Sequence, residues 1–296
     1  MARVVLSEGE KTFIIRAAEK NHRTDGRRNC DYRTILVETG TSICSNGSSR
    51  VKLANTDVIV GIKTEIQKPD LKTPNQGKIE FSVDCSGNAD IAFEGRGGDA
   101  LATELAAALA NTYDSPLAFD LTDLCILSGQ HCWKIYVDIM ILECGGNLYD
   151  AVSLATKAAL FNVKIPRVTA SLLDAGESEL TITDNIYDCS RINVESVPII
   201  ITVSKIGDAC VVDPTAEEEL CATATIIMGI TIKNGKSFIS SVQTAGKGSL
   251  NKDSFDKCVK IGCEIAEPIN SGLMECLKLE EERLGMKREN PTSFLR

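Results

Sequence analysis

Two glycine loops are the first places where this sequence could do chemistry. Glu94-Gly95-Arg96-Gly97-Gly98 and Gly145-Gly146-Asn147 each stand ahead of a helical pattern. Glycines there let backbone amides face an anion, with the helix dipole assisting. The first loop carries Arg96 as a charge partner. The second is followed by Leu148 and Tyr149 where a phosphate site would want Arg or Lys, so its residues alone favour a tight strand-to-helix turn. An acidic group, Asp213, Glu217, Glu218 and Glu219, has the oxygen chemistry of a magnesium site. The strand behind it offers Thr223 and Thr225 instead of further carboxylates, which makes Pro214 to Leu220 a solvated turn or short helix. His22 and His131 are the only histidines, and neither neighbours a serine or cysteine in a nucleophile elbow, which excludes Ser-His and Cys-His mechanisms. There is no Cys-x-x-Cys pair, no GxGxxG and no Walker loop, so structural zinc and nucleotide-loop readings fall away.

One cationic cluster remains. Lys20, Arg23, Arg27, Arg28 and Arg33 fall together with Asp25 and Asp31 among them. Such a run is either a solvated loop or a contact for RNA or a partner. The whole chain argues against a free nucleic-acid binder. Its 296 residues carry 32 basic and 41 acidic side chains, a formal charge of −9, whereas such binders carry a basic surplus. A local basic groove shared with a partner survives that argument. Twelve cysteines are spread from Cys30 to Cys276, in a chain long enough to need no staples, and Met1 to Lys20 lacks a leader-like apolar run. The expectation is reduced thiols in an intracellular protein. No stretch approaches the roughly 20 apolar residues of a membrane helix.

The elements that must position these residues follow from periodicity. Aromatics are only 5% of the chain, so the core is aliphatic. Ser7 and Glu10 form a capping box that opens a helix over 7–20. Strands are expected at 34–38, 50–53 and 57–66, with Asn55-Thr56 as a turn, and at 79–85, where Ile79, Phe81, Val83 and Cys85 alternate with polar neighbours. A helix capped by Asp99 buries Leu101, Leu105, Ala108 and Leu109. Strands at 122–127 and 132–143 follow, the second with Trp133, Ile135, Val137, Ile139 and Ile141 on one face. The next helix, 149–161, carries Val152, Ala155, Ala159 and Leu160.

Beyond Pro166 the acidic, polar stretch 175–188 marks a boundary. Two hairpins come next, 197–203 with 209–212 and 222–232 with 237–242, the latter turning at Asn234-Gly235. A helical stretch over 253–283 contains Pro268, which must kink or split it, and the tail from Lys287 frays. The fold class is α+β, with mostly antiparallel strands followed by helices in two pseudo-repeated halves. The segments are 1–24 (helix and linker), 25–170 (first half), 190–284 (second half with its helix) and 285–296 (tail).

An ordered set of motifs resembles the RNase PH-like ring subunits of the eukaryotic RNA exosome, of the non-catalytic type. It comprises Arg23-Thr24-Asp25-Gly26-Arg27 with Tyr32-Arg33, Gly47 to Leu53 with Asn55-Thr56-Asp57, Phe93 to Gly98, Glu143 to Ala151, Val212-Asp213-Pro214-Thr215 and Lys247-Gly248-Ser249. The resemblance implies the RNase PH-like fold, two βαβ-type halves with mixed sheets and covering helices. Active members use phosphate to degrade RNA from its 3′ end, and hold that phosphate with the serine and arginine of a Gly-Ser-Arg at the start of the second helix. Here Gly146-Asn147-Leu148 aligns with it, so the bidentate cation is lost. Active members also place an aspartate twelve residues after the Asp of the Asp-Pro pair, and here that position is Thr225. The resemblance therefore implies no catalytic residue, no metal and no cofactor.

It also implies partners. These are other RNase PH-like exosome subunits, paired as heterodimers within a hetero-hexameric ring, cap proteins with RNA-binding domains, a separate hydrolytic exoribonuclease, and RNA in the shared channel. The role implied is support of 3′-to-5′ RNA processing and degradation, including rRNA maturation and mRNA turnover, in nucleus, nucleolus and cytoplasm. Arg96 is the first candidate RNA contact, followed by Arg23, Arg27 and Arg28. The alternative is an active phosphate-dependent 3′-to-5′ exoribonuclease.

Overall fold

Local signals at each chain segment set the elements seen in a computed structural model, which describes residues 6–115, 118–172, 178–183, 185, 188–233, 235–246 and 248–289. The Ser7 capping box is formed, and α1 (Glu8–Glu19) follows it. Next come β1 (Ile35–Thr39), β2 (Gly47–Leu53), β3 (Thr56–Gln67), β4 (Lys78–Cys85), α2 (Asp99–Tyr113), β5 (Cys125–Leu127), β6 (His131–Glu143) and α3 (Leu148–Asn162). Short strands β7 (Ile165–Pro166), β8 (Val168–Leu172), β9 (Ser178–Ile182) and β10 (Cys189–Ser190) lead to β11 (Ile199–Ile206), β12 (Ala209–Val212), α4 (Ala216–Cys221), β13 (Ala224–Lys233), β14 (Lys236–Ala245) and α5 (Lys252–Glu289).

The first sheet has the order β1-β2-β3-β6-β4, with β5 added on β6. β4 and β6 are parallel, joined through α2, while the other pairs are antiparallel. The sheet is therefore mixed. Trp133, Ile135, Val137, Ile139 and Ile141 of β6 are all buried, as their alternation requires. The alternating apolar face of β4 is mostly half-buried instead, because β4 is an edge strand. The second sheet, β12-β11-β13-β14, is antiparallel throughout.

α3 lies between the two sheets, against β2 and β3 on one side and β11 on the other. A single apolar stripe is expected for a helix on a surface, but this one is buried on every side from Leu148 to Leu160 except at Tyr149. Alanines at 151, 155, 158 and 159 keep its girth small enough for both sheets to close on it. One hydrophobic cluster consequently runs through both halves, from Val51 to Leu277. Two polar side chains of α3 find partners within. Ile200 N donates to Ser153 Oγ at 2.7 Å, and Lys157 Nζ donates to Val197 O at 2.5 Å and to Asn270 Oδ1 of α5 at 2.7 Å.

Several local expectations are corrected. Asp99 is the first residue of α2 rather than its cap; the cap is Gly98, and Asp99 sits in the first turn, where its charge complements the dipole. The strand expected at 122–127 starts only at Cys125, because Asp120 accepts from Thr122 N and winds 121–124 into a 3₁₀ turn. The polar stretch at 175–188 contributes a strand, β9, paired with β8. Residues 173–177, 184, 186 and 187 of that region lie outside the described residues, as do Asn234 of the expected turn and the tail from 290. α5 is a single helix through Pro268, continuing to Glu289. Pro268 and Glu264 are both exposed, so the carbonyl that proline deprives of its helical donor faces water.

Lys157 supplies a pH test of this packing. Burial lowers its pKa from 10.5 to about 7. Between those values the unfolded chain binds the extra proton, so this residue makes stability rise with pH and lowers it towards neutrality. Raising the pH from 7 to 9 should stabilise the wild type, relative to Lys157→Met, by on the order of 2 kcal/mol in urea unfolding.

Candidate functional site

The candidate site at the second glycine loop is built around Asp213, which follows β12 with a left-handed backbone (φ 49°). Its carboxylate is fully buried and multiply bonded. Oδ1 accepts from Arg33 Nη2 at 2.7 Å and from Asn147 Nδ2 at 2.9 Å. Oδ2 accepts from Arg33 Nε at 2.9 Å, Arg33 N at 2.8 Å and Arg27 Nη1 at 2.9 Å. Burial alone would raise its pKa, but the hydrogen bonds and charge of Arg33 outweigh that and hold it below the ordinary carboxylate range. Arg33 also reaches the glycine loop, donating to Gly145 O and Gly146 O, each at 3.0 Å.

That loop is a turn under close constraint. Gly146 has φ 95°, and a Cβ there would lie 2.5 Å from Ala216 N. Thr56 Oγ1 donates to Gly146 O at 2.7 Å. Asn147, also left-handed at φ 54°, starts α3 without a side-chain cap. Its side chain spans two acids instead, with Nδ2 2.9 Å from both Asp150 Oδ2 and Asp213 Oδ1. Its backbone amide donates to Glu219 Oε1 at 2.7 Å. The helix N-terminus that could face an anion thus already holds a carboxylate of the same chain. Glu219 is exposed as a residue, yet its carboxylate is drawn into this contact and desolvation raises its pKa. Leu148, where the resemblance would want a phosphate-binding arginine, is 7% exposed and belongs to the core.

Asp150 completes the interior. It accepts from Tyr32 Oη at 2.6 Å, and burial raises its pKa to about 7, since the bonds from Tyr32 and Asn147 offset only part of the desolvation. Thr225 lies on β13 opposite Ser204 of β11, their hydroxyls 3.0 Å apart. Among the described residues no group of three or more His, Cys, Asp or Glu could hold a metal ion. Of the two forms expected for the acidic run, a solvated turn or a short helix, it takes the second. It forms the short helix α4, and Glu218 is buried in a second capping box with Thr215.

The cationic cluster divides in two. Arg23, expected at an RNA surface, is corrected to the interior at 5% exposure. It pairs with Glu218 through Nε at 2.8 Å and through Nη2, and donates to Val212 O at 3.0 Å and Asp213 O at 2.7 Å. Arg27 is also corrected: it is mostly buried, held by Asp25 at 2.6 Å and by Asp213. Arg28 and Arg96 are exposed. An open cleft of about 700 Å³ lies against this network, but its two cations, Arg27 and Arg33, are both committed to Asp213. Arg33, Tyr32, Asp150 and Glu219 form the site together; the sequence marks Arg33 and Glu219 only as members of a cationic and an acidic run, and marks neither Tyr32 nor Asp150 as a site residue. Tyr32-Arg33 stood within a motif, yet periodicity carries no sign of an ion pair between residues so far apart in the chain.

Removing one partner of this buried pair leaves the other charge unmet. Arg33→Ala or Asp213→Ala should each cost about 3–5 kcal/mol in urea unfolding. The double variant should cost clearly less than the sum, because the two changes remove one shared interaction.

The comparisons with known proteins fit this geometry. Residues 31–166 match the 3′ exoribonuclease family, domain 1, and residues 196–265 match its domain 2. The putative exosome complex exonuclease RRP42 of Dictyostelium discoideum is 32% identical over 91% of this chain and 98% of its own length. The exosome complex component Rrp42 of Methanothermobacter thermautotrophicus is 34% identical over 88% and 92%. A chain of the Archaeoglobus fulgidus exosome solved with RNA bound to the active site superposes with a TM-score of 0.72 at 27% identity, covering 88% of this chain and 96% of that one. With both halves matched in order, and the sheets and the Asp213 turn arranged as described, the chain belongs to the RNase PH-like 3′ exoribonuclease family.

Proposed function

We propose that this chain is a non-catalytic subunit of an RNA exosome ring. It pairs with other RNase PH-like subunits, meets cap proteins with RNA-binding domains, and guides RNA through a shared channel to a separate hydrolytic exoribonuclease. The observation that carries the inert reading is at the start of α3. The Asn147 amide is bonded to Glu219, and Leu148 is buried where active members present an arginine. A phosphoryl-transfer site depends on positioned charge, and this one has three carboxylates, Asp150, Asp213 and Glu219, around the place a phosphate would need. The names of the relatives support the exosome assignment. The net charge of −9 suits a subunit that binds chiefly its neighbours. With a role in RNA processing and turnover, the proposal extends to residence in nucleus, nucleolus and cytoplasm.

Incubating the purified full chain with RNA and inorganic phosphate should release no nucleoside diphosphate above a protein-free control. Phosphate-dependent release would instead establish the active exoribonuclease reading. Of the four candidate RNA contacts, Arg96 and Arg28 are the two whose side chains lie exposed. Arg96 sits in a loop that only glycine can form, since a Cβ at Gly97 would lie 1.9 Å from Ala92 O. Arg96→Glu should weaken RNA retention by the assembled ring several-fold in a salt-dependent filter assay. Unchanged retention would remove Arg96 as a contact.

A further inference from the structure

The second half contains a pair of thiols placed for chemistry that RNA handling does not use. Cys210 of β12 and Cys258 of α5 have their sulfurs 3.2 Å apart, with the Cys258 thiol directed at Cys210. Alternation along β12 produces this placement. Val211 packs into the small cluster under α1, which turns Cys210 the other way, onto the core beneath α5. The two thiols differ in access. Cys258 is fully buried, and Cys210 is only partly covered. They also differ in charge surroundings. Lys205 and Lys257 lie near Cys210, and Lys205 Nζ is itself anchored to Ser254 of α5 at 3.0 Å. Donation from the Cys258 thiol, aided by these lysines against partial burial, lowers the Cys210 pKa to about 7, while Cys258 is shifted upward.

We propose that Cys210 and Cys258 form a reversible peroxide-sensitive dithiol site, in which Cys210 is the attacking sulfur and Cys258 the resolving one. The Cys210 thiolate attacks one oxygen of hydrogen peroxide. The O–O bond breaks, hydroxide leaves and takes a proton to become water, and Cys210 becomes a sulfenic acid. The Cys258 sulfur, losing its proton, then attacks Cys210. The S–O bond breaks, a second water leaves, and the disulfide remains. In sum, two thiols and one peroxide give one disulfide and two waters. The sulfurs must close by about 1.2 Å to reach the bonded distance of about 2.05 Å. The bridge spans residues 48 apart and ties α5 to β12, the strand just before Asp213.

The ring containing the full chain is treated with graded hydrogen peroxide, blocked with an alkylating reagent, digested without reductant and read by mass spectrometry. The expected product is a peptide pair joined through Cys210 and Cys258, lost on treatment with dithiothreitol. Its rate of formation should fall several-fold from pH 8 to pH 6. Cys210→Ser should leave Cys258 unoxidised, and Cys30→Ser should leave the pair intact. The wild-type reading needs no variant to fold. The proposal is overturned if Cys210 stays a free thiol, goes on to the sulfinic acid without bridging, or pairs with the exposed Cys30 instead. A flat pH profile would overturn Cys210 as the attacking thiolate.

Discussion

The ion pair between Arg33 and Asp213 ties the three parts of this chain together. Arg33 belongs to the segment after α1, the carbonyls it also holds belong to the loop before α3, and Asp213 follows β12 in the second half. A buried carboxylate without a cation would take up a proton or pull the turn apart. With five donors arranged round it, Asp213 stays ionised and its left-handed backbone is held. Arg23 and Glu218 repeat the device one layer away, on the carbonyls of Val212 and Asp213. What a sequence reading takes for a basic surface is therefore largely internal mortar.

The same geometry closes the Asn147 amide to an anion at the head of α3. Here the head of that helix is satisfied from inside, by the Glu219 carboxylate on its amide and by Asn147 bridging two acids. The exchange of a guanidinium for Leu148 is not a simple vacancy. The side chain has joined the core, so restoring the arginine alone would bury a charge among apolar neighbours while Glu219 still occupied the amide.

Much of the fold was legible, and the limits are physical. β6, the helix at α1 and both late hairpins announce themselves through period-2 alternation, a capping box and turn residues, all of which are local signals. α3 showed only a stripe, because no local pattern reveals that a second sheet will close over its other face. The strand at 122 gave way to Asp120, whose side chain competes for a backbone amide. The candidate site was half legible. Asn147, Leu148 and Thr225 stood out through a resemblance, since each is a missing group at a recognisable place. Arg23 and Arg27 misled, because a charge's burial depends on partners nearly 200 residues away in the chain. Asp150 and Tyr32 left no mark as site residues for the same reason.

α3 has a consequence for how the chain is made. Synthesis runs from the N-terminus, so the helix and the first sheet exist before β11, the surface that covers the helix's second side. Domains that fold as they emerge usually finish one core before the next begins. This chain cannot, because its central helix belongs to both halves. During translation, the apolar flank of α3 must wait uncovered, a natural handhold for chaperones. A chain that stops short of the second sheet would leave that flank open for good, which marks it for quality control instead of assembly.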